Sequence, residues 1–112
     1  MANSFKGQIA VQHNGREIVL VMDFNALADF ETATEMDALA WLDSAAKGKA
    51  SVREMRTMVW AAMHQRDDAA TIRDAGDLLS DQPDVLIRLV VAASPEAAPG
   101  NAPRPQKRAA RR

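Results

Sequence analysis

An unbroken apolar run, Ile18-Val19-Leu20-Val21-Met22, follows closely on the pair Asn14-Gly15, and a shorter one, Ile9-Ala10-Val11, precedes it. Both central residues of a type I′ turn need positive φ, and Asn-Gly meets that need at little steric cost, so the pattern predicts a β-hairpin. Pairing about the turn sets His13 opposite Arg16, Val11 opposite Ile18 and Ile9 opposite Leu20. One face then carries Ile9, Val11, Ile18, Leu20 and Met22 and reads as core. The other carries Gln8, Gln12 and Glu17, but also Ala10, Val19 and Val21. A lone two-stranded ribbon is marginal in water, so it must pack on helices or pair with further strands. The Val19 and Val21 face is expected to be covered by a partner or by a second copy of the chain.

After Asp23 the apolar positions take helical spacing. A first helix is expected over residues 25–33, with Asp23 and Asn25 as possible caps and Phe24, Leu27 and Phe30 facing inward. A short second spans residues 37–46, with Leu39, Trp41 and Leu42, and stops at Gly48. Ser51-Val52-Arg53-Glu54 is a capping box, hydroxyl to backbone one way and carboxylate back the other. It starts a third helix that buries Val52, Met55, Val59 and Met63 and runs to about Arg66. Thr71-Ile72-Arg73-Asp74 opens a fourth in the same style, burying Ile72, Ala75, Leu78 and Leu79. Pro83 suits the first turn of a fifth, with Leu86, Leu89, Val90 and Ala93 inside. The order is an N-terminal β-hairpin followed by four to five short α-helices, an α+β fold.

Length and composition narrow this picture. The chain of 112 residues suits one domain with a modest core. Its 47% hydrophobic content is swollen by alanine, and aromatics make up only 4%, which favours a thin helical core. Absence of cysteine excludes disulfides and thiolate metal sites. No apolar run approaches the roughly 20 residues of a spanning helix, and the start, MANSFKGQ, lacks the layout of a signal peptide. A soluble cytoplasmic protein is expected, with no membrane partner.

The net charge of −1 hides an asymmetry. Residues 1–94 hold nine Lys/Arg against fourteen Asp/Glu, whereas residues 95–112 hold five basic residues against Glu96 alone. The latter stretch also carries Pro95, Pro99, Pro103 and Pro105 and almost nothing to bury. It is expected to be a disordered basic tail, with the domain boundary near Ser94.

Reactive chemistry is sparse. His64, Asp67 and Asp68 have helical spacing that a metal could use, but two carboxylates beside one histidine at a helix end read better as a solvated terminus. His13 reads as a polar neighbour of the turn. Asp74, Asp77, Asp81 and Asp84 lack the glycine and alternating ligands of a calcium loop, and suit caps and a wet face. Ser51 is explained by its cap, and no phosphate-cradling glycine loop is present. Neither an enzyme nor a bound cofactor or metal is expected.

Binding features are richer. Trp41 and Trp60 either fill the core or anchor a partner, as tryptophans do at hot spots. Met55, Met58 and Met63 share a helix with Trp60, and a methionine-rich surface suits a binder of variable helices. Val19, Val21, Trp41, Met58 and Trp60 are therefore the candidate partner-binding residues. The basic tail could attract nucleic acid, but the acidic domain shows no recognition helix or stacking aromatics, which makes nucleic acid an unlikely partner.

The stretch from Ala2 to Glu31, followed by helices containing Leu39-Ala40-Trp41-Leu42 and Val52-Arg53-Glu54-Met55-Arg56-Thr57-Met58-Val59-Trp60-Ala61-Ala62-Met63, resembles the tail-protein family of gene transfer agents and long-tailed bacteriophages. That family is grouped with the phage tail assembly chaperones. The likeness rests on Gly15 and Arg16, on Phe24, Asn25, Ala26, Leu27 and Glu31, and on the Ser51-capped helix with Val59-Trp60-Ala61. It covers roughly residues 3–93. The chain departs from the pattern at Thr32-Ala33-Thr34, which lacks the expected glycine, and in its longer Pro/Arg tail.

The resemblance implies a non-enzymatic chaperone of virion morphogenesis in the host bacterial cytoplasm. Its partners would be the tape-measure protein, a long helical chain prone to aggregate, and possibly the tail tube protein. A homo-oligomer is also compatible. The alternatives are a structural protein associated with the tail tube, or a small regulatory or DNA-associated protein using the basic arm. A tube subunit normally needs a β-rich chain to close a ring, and one hairpin does not supply it. Because residues 95–112 have so little to bury, truncation after Ser94 is expected to leave the thermal unfolding midpoint unchanged. A fall of several degrees would show that the tail packs on the domain.

Overall fold

The computed structural model describes residues 5–93. Strands β1 (Gly7–His13) and β2 (Arg16–Met22) form an antiparallel hairpin. Helices α1 (Phe24–Thr34), α2 (Ala38–Ala46), α3 (Val52–His64), α4 (Ile72–Asp81) and α5 (Val85–Ala93) follow, so the fold is α+β. The disorder expected of the tail, and the boundary near Ser94, lie outside the described residues.

Asn14 and Gly15 take φ of 54° and 75°, as a type I′ turn requires. The register follows, with Val11 paired to Ile18 and Ile9 to Leu20. Leu20 and Met22 are fully buried, and β2 packs against α1, α3 and α5. The other hairpin face is covered only in part. Val21 is 4% exposed within the single chain, whereas Val19 is half-buried and Ala10, Gln12 and Glu17 are exposed. Gln8, opposite Val21, accepts a hydrogen bond of 2.9 Å from Arg66 just beyond α3. The expectation that this face awaits a second copy or a partner is corrected for Val21, which the chain itself covers.

Helices α1 to α4 each start where a side chain satisfies free N–H groups. Asp23 Oδ1 accepts from the Ala26 N–H at 3.0 Å, and Asp37 Oδ1 from the Ala40 N–H at 3.1 Å. Both expected capping boxes form, Ser51 with Glu54 and Thr71 with Asp74. Helix α2 ends in a turn that brings Gly48 to φ 77°. The missing glycine after α1 is resolved differently: Glu35 itself adopts the left-handed conformation, φ 61°, as the C-cap. A side chain there costs on the order of 1 kcal/mol relative to glycine. Immediately beyond it, Glu31 Oε2 accepts from the Ala38 N–H at 2.9 Å and fixes the bend into α2.

Helix α3 is central, packing against α1, α4 and β2 and burying Met58, Val59, Ala61, Ala62 and Met63. Alanines at consecutive positions let its neighbours approach closely. Three residues expected inside lie outside: Phe24, Leu39 and Val52 are 63%, 56% and 76% exposed. Each sits in the first turn of its helix, before the packed turns begin. Phe24 instead meets Phe5 edge-on, ring centroids 5.7 Å apart.

Helix α5 seals the hairpin by crossing β1 at Gly7. A Cβ at Gly7 would come within 2.3 Å of the Ala93 amide nitrogen and 2.5 Å of the Ala92 carbonyl carbon. Those atoms are backbone and cannot rotate aside. Gly7→Ala is therefore expected to destabilise the domain by about 1–3 kcal/mol, as overpacking does, lowering the midpoint by roughly 4–8 °C per kcal/mol. An unchanged midpoint would mean that α5 does not lie on β1 this closely.

Candidate functional site

Between α2 and α5 lies an apolar groove of about 520 Å³. Helix α2 packs chiefly on α1, and no close packing joins it to α5. Leu42, Ala45 and Ala46 form one wall, Leu86, Ile87, Val90 and Val91 the other, with Met55 of α3 at the base. Ile87 is 67% exposed and Val91 54%, so the α5 wall offers apolar surface to solvent. The sequence of α5 explains why. Of its nine residues, VLIRLVVAA, only Arg88 is polar, so the apolar surface extends beyond the stripe that the core can cover. Val85, Leu89 and Ala93 are buried in the core, while Leu86, Ile87, Val90 and Val91 border the groove.

Trp41 closes one part of the groove and is held from two sides. Its ring packs on Phe30, centroids 5.0 Å apart, and its Nε1–H donates to Glu54 Oε1 at 2.9 Å. The same carboxylate oxygen accepts from the Ser51 backbone N–H at 3.2 Å as part of the capping box. Glu54 thus caps α3 and pins the indole of α2 at once. These donors, the Trp41 N–H first and the Ser51 backbone second, hold its carboxyl below the ordinary value of 4.5.

The candidate partner-binding residues separate on this geometry. Trp41 is 3% exposed, Met58 is fully buried and Val21 is covered, so these three are core residues, of which Trp41 alone borders the groove. A long side chain in an alanine-rich core is needed as filler, and that demand claims them. Trp60 is half-buried, stacked on His64 with centroids 5.0 Å apart, and its Nε1–H donates to the Ala70 carbonyl at 3.0 Å. Val19 is half-buried on the far side of the hairpin. None of the five except Trp41 lines the α2–α5 groove. Ile87 and Val91, which do, were not among them; the near-continuous apolar run of α5 was the available signal.

The polar candidates also find structural partners. His13 reaches Asp81 at 3.1 Å, its Nδ1–H donating, while Gln82 Nε2 donates to the Gln12 carbonyl at 2.7 Å. The hairpin tip is thereby clamped to the end of α4, a link that sequence spacing does not reveal. His13 first, then Gln82, lowers the Asp81 pKa by hydrogen bonding. Asp84 pairs with Arg88 at 3.4 Å, and Asp67 Oδ1 accepts from the Ala69 N–H at 3.0 Å. His64, Asp67 and Asp68 do not form a ligand set, and among the described residues no group of three or more such side chains could hold a metal. Among the same residues no helix is long and apolar enough to cross a membrane.

No protein-family model, no curated protein and no solved structure matches the chain.

Glu54 gives the groove wall a pH dependence. Its folded-state pKa lies below the unfolded value, so its stabilisation is complete above about pH 4.5 and is lost as pH falls through the lower, folded value. Glu54→Gln is expected to flatten the acid limb of the stability profile. Glu54→Leu, which also removes the acceptor, should lower the midpoint by several degrees at neutral pH and red-shift Trp41 fluorescence. A profile identical to that of the unaltered protein would show that the Trp41–Glu54 bond contributes nothing.

Proposed function

We propose that the chain is a non-enzymatic tail assembly chaperone that holds an apolar helical segment of a tape-measure protein in the α2–α5 groove, in the host cytoplasm, before tail-tube subunits assemble. The observation that carries this reading is the groove itself, with Ile87 and Val91 exposed along a helix whose Val85, Leu86, Leu89 and Ala93 are buried. A helix docking there would place side chains at i, i+4 and i+7 between α2 and α5. The family resemblance supplies the identity of the partner.

Magnitudes fit a reversible hold. Fully burying a residue such as Ile or Val is worth about 1.5–3 kcal/mol, and association itself costs at least about 4 kcal/mol in lost motion. Ile87 and Val91 supply at most about 6 kcal/mol, only slightly more than that cost, so the groove predicts weak binding, no tighter than about micromolar. A chaperone must release its client when tube subunits arrive, and that affinity allows it. Binding through apolar area also predicts weak salt dependence. A structural role beside the tail tube is less well supported, since the described residues contain a single two-stranded sheet.

Co-expression tests the reading. The tape-measure chain is expected to be soluble with this protein and to aggregate without it. The double variant Ile87→Asp/Val91→Asp, at positions open to solvent, is expected to fold with an unchanged midpoint and to lose the effect. If solubility is the same with and without the protein, the chaperone reading fails. If the groove variant instead splits a homodimer without touching tape-measure solubility, the groove binds a second copy. Salt-sensitive binding to duplex DNA that is lost on deleting residues 95–112 would favour the regulatory alternative.

A further inference from the structure

A second pocket, about 420 Å³, adjoins the groove between α3 and α4. Met55 and Pro83 line both, so the two spaces share a wall. Their chemistry differs. The second pocket is lined by Arg56 of α3 and by Arg73, Asp77 and Ser80 of α4, with Val52 at its edge. Among the described residues neither Arg56 nor Arg73 makes an ion pair, although Asp77 lies one turn from Arg73 on the same helix. Arg56 Nε is buried and has no hydrogen-bond acceptor within the described chain. Being enclosed, that Nε does not itself face the pocket, so what Arg56 offers to a ligand there is the unpaired charge of its guanidinium. Gly76 stands against this side chain. A Cβ there would lie 3.0 Å from Arg56 Cδ, so the glycine leaves Arg56 its position.

We propose that this pocket receives a carboxylate of the docked segment: Arg56 and Arg73 together take an acidic side chain placed at the end of the partner helix's apolar face, beside Met55 and Pro83. The proposal rests on the groove being the docking site. Charge complementarity selects the occupant. A guanidinium presents paired N–H groups in a fork that matches a carboxylate, and two guanidiniums against one aspartate leave the pocket net positive. Elsewhere the described domain is acidic, with fourteen Asp/Glu against nine Lys/Arg in residues 1–94. An acidic group on the client is therefore repelled over most of the surface and accepted here. The apolar groove would supply affinity, and the arginine pocket would fix register and direction along the helix.

The probe is a synthetic helical peptide with leucines at i, i+4 and i+7 and a terminal glutamate, compared with the same peptide carrying glutamine. Binding is followed on the full chain by methyl resonances of Ile87 and Val91 and by the Arg56 Nε–H resonance. Both peptides are expected to shift the methyls, and only the glutamate peptide to shift Arg56 Nε–H and to bind about tenfold more tightly, a difference of about 1.4 kcal/mol. Arg73→Gln, at an exposed position, should remove that tenfold advantage and leave the glutamine peptide unaffected, as a coupled pair requires. Equal binding of the two peptides with the methyls still shifted would overturn the carboxylate pocket while leaving the groove reading intact. If neither peptide moves the methyls, the groove reading fails, and the pocket proposal falls with it.

Discussion

A two-stranded sheet cannot hold itself together in water, because each strand has only one neighbour and both faces remain wet. In this chain the inner face of Val11, Ile18, Leu20 and Met22 is buried only because α1, α3 and α5 are laid over the hairpin. The closest approach is at Gly7, where α5 backbone occupies the space a Cβ would need. That contact joins the start of the first strand to the end of the last described helix, so it closes the domain as a ring of dependencies. The turn sets the register, the register sets which side chains face α5, and α5 can seat only where Gly7 permits.

Seating α5 in this way determines what remains outside. Its buried side, Val85, Leu89 and Ala93, is spent on the core. Its apolar composition continues around the helix, so Ile87 and Val91 are left facing α2. Helix α2 does not close the space because it is tied elsewhere, to α1 through Glu31 and to the start of α3 through the Trp41–Glu54 bond. The groove is thus a consequence of two anchorages at different places. It is also resistant to collapse, since closing it would require breaking a cap and orphaning a buried indole N–H.

Most of this architecture was legible in the residues. Asn14-Gly15 dictated a turn with two positive φ values, and the pairing that follows is the one observed. The caps at Ser51 and Thr71 were readable because a capping box is a local device that needs no tertiary information. Inward positions in mid-helix were readable for the same reason, whereas Phe24, Leu39 and Val52 misled because first-turn residues often project past the neighbour they would pack on. The covered state of Val21 was not legible, and for Trp41 and Met58 the residues left core filler and partner anchor both open. Apolar surface on a strand or helix says that something must cover it, and only tertiary structure says whether the cover is the same chain. The Glu35 cap shows the converse: the missing glycine did not abolish the bend, because the Glu31 hydrogen bond to α2 secures it.

The groove and the arginine pocket were illegible for a deeper reason. Each lies between elements, one where α2 and α5 fail to meet and the other where α3 and α4 bring Arg56 and Arg73 to a shared space. Arg56 and Arg73 are seventeen positions apart in the chain, a separation with no periodic meaning. Their convergence matters because the domain is otherwise acidic, so a positive pocket beside an apolar groove carries information that either feature alone would not. Apolar area alone holds many helices about equally well, since leucine, isoleucine and methionine bury similar surface. A charge placed at one end breaks that degeneracy: a helix docked one turn out of register, or reversed, would leave its carboxylate against the apolar groove walls instead of beside two guanidiniums. Discrimination of that kind costs little affinity in the correct register and much in the wrong one. It therefore lets a binder be weak enough to release its client and still hold it in one orientation.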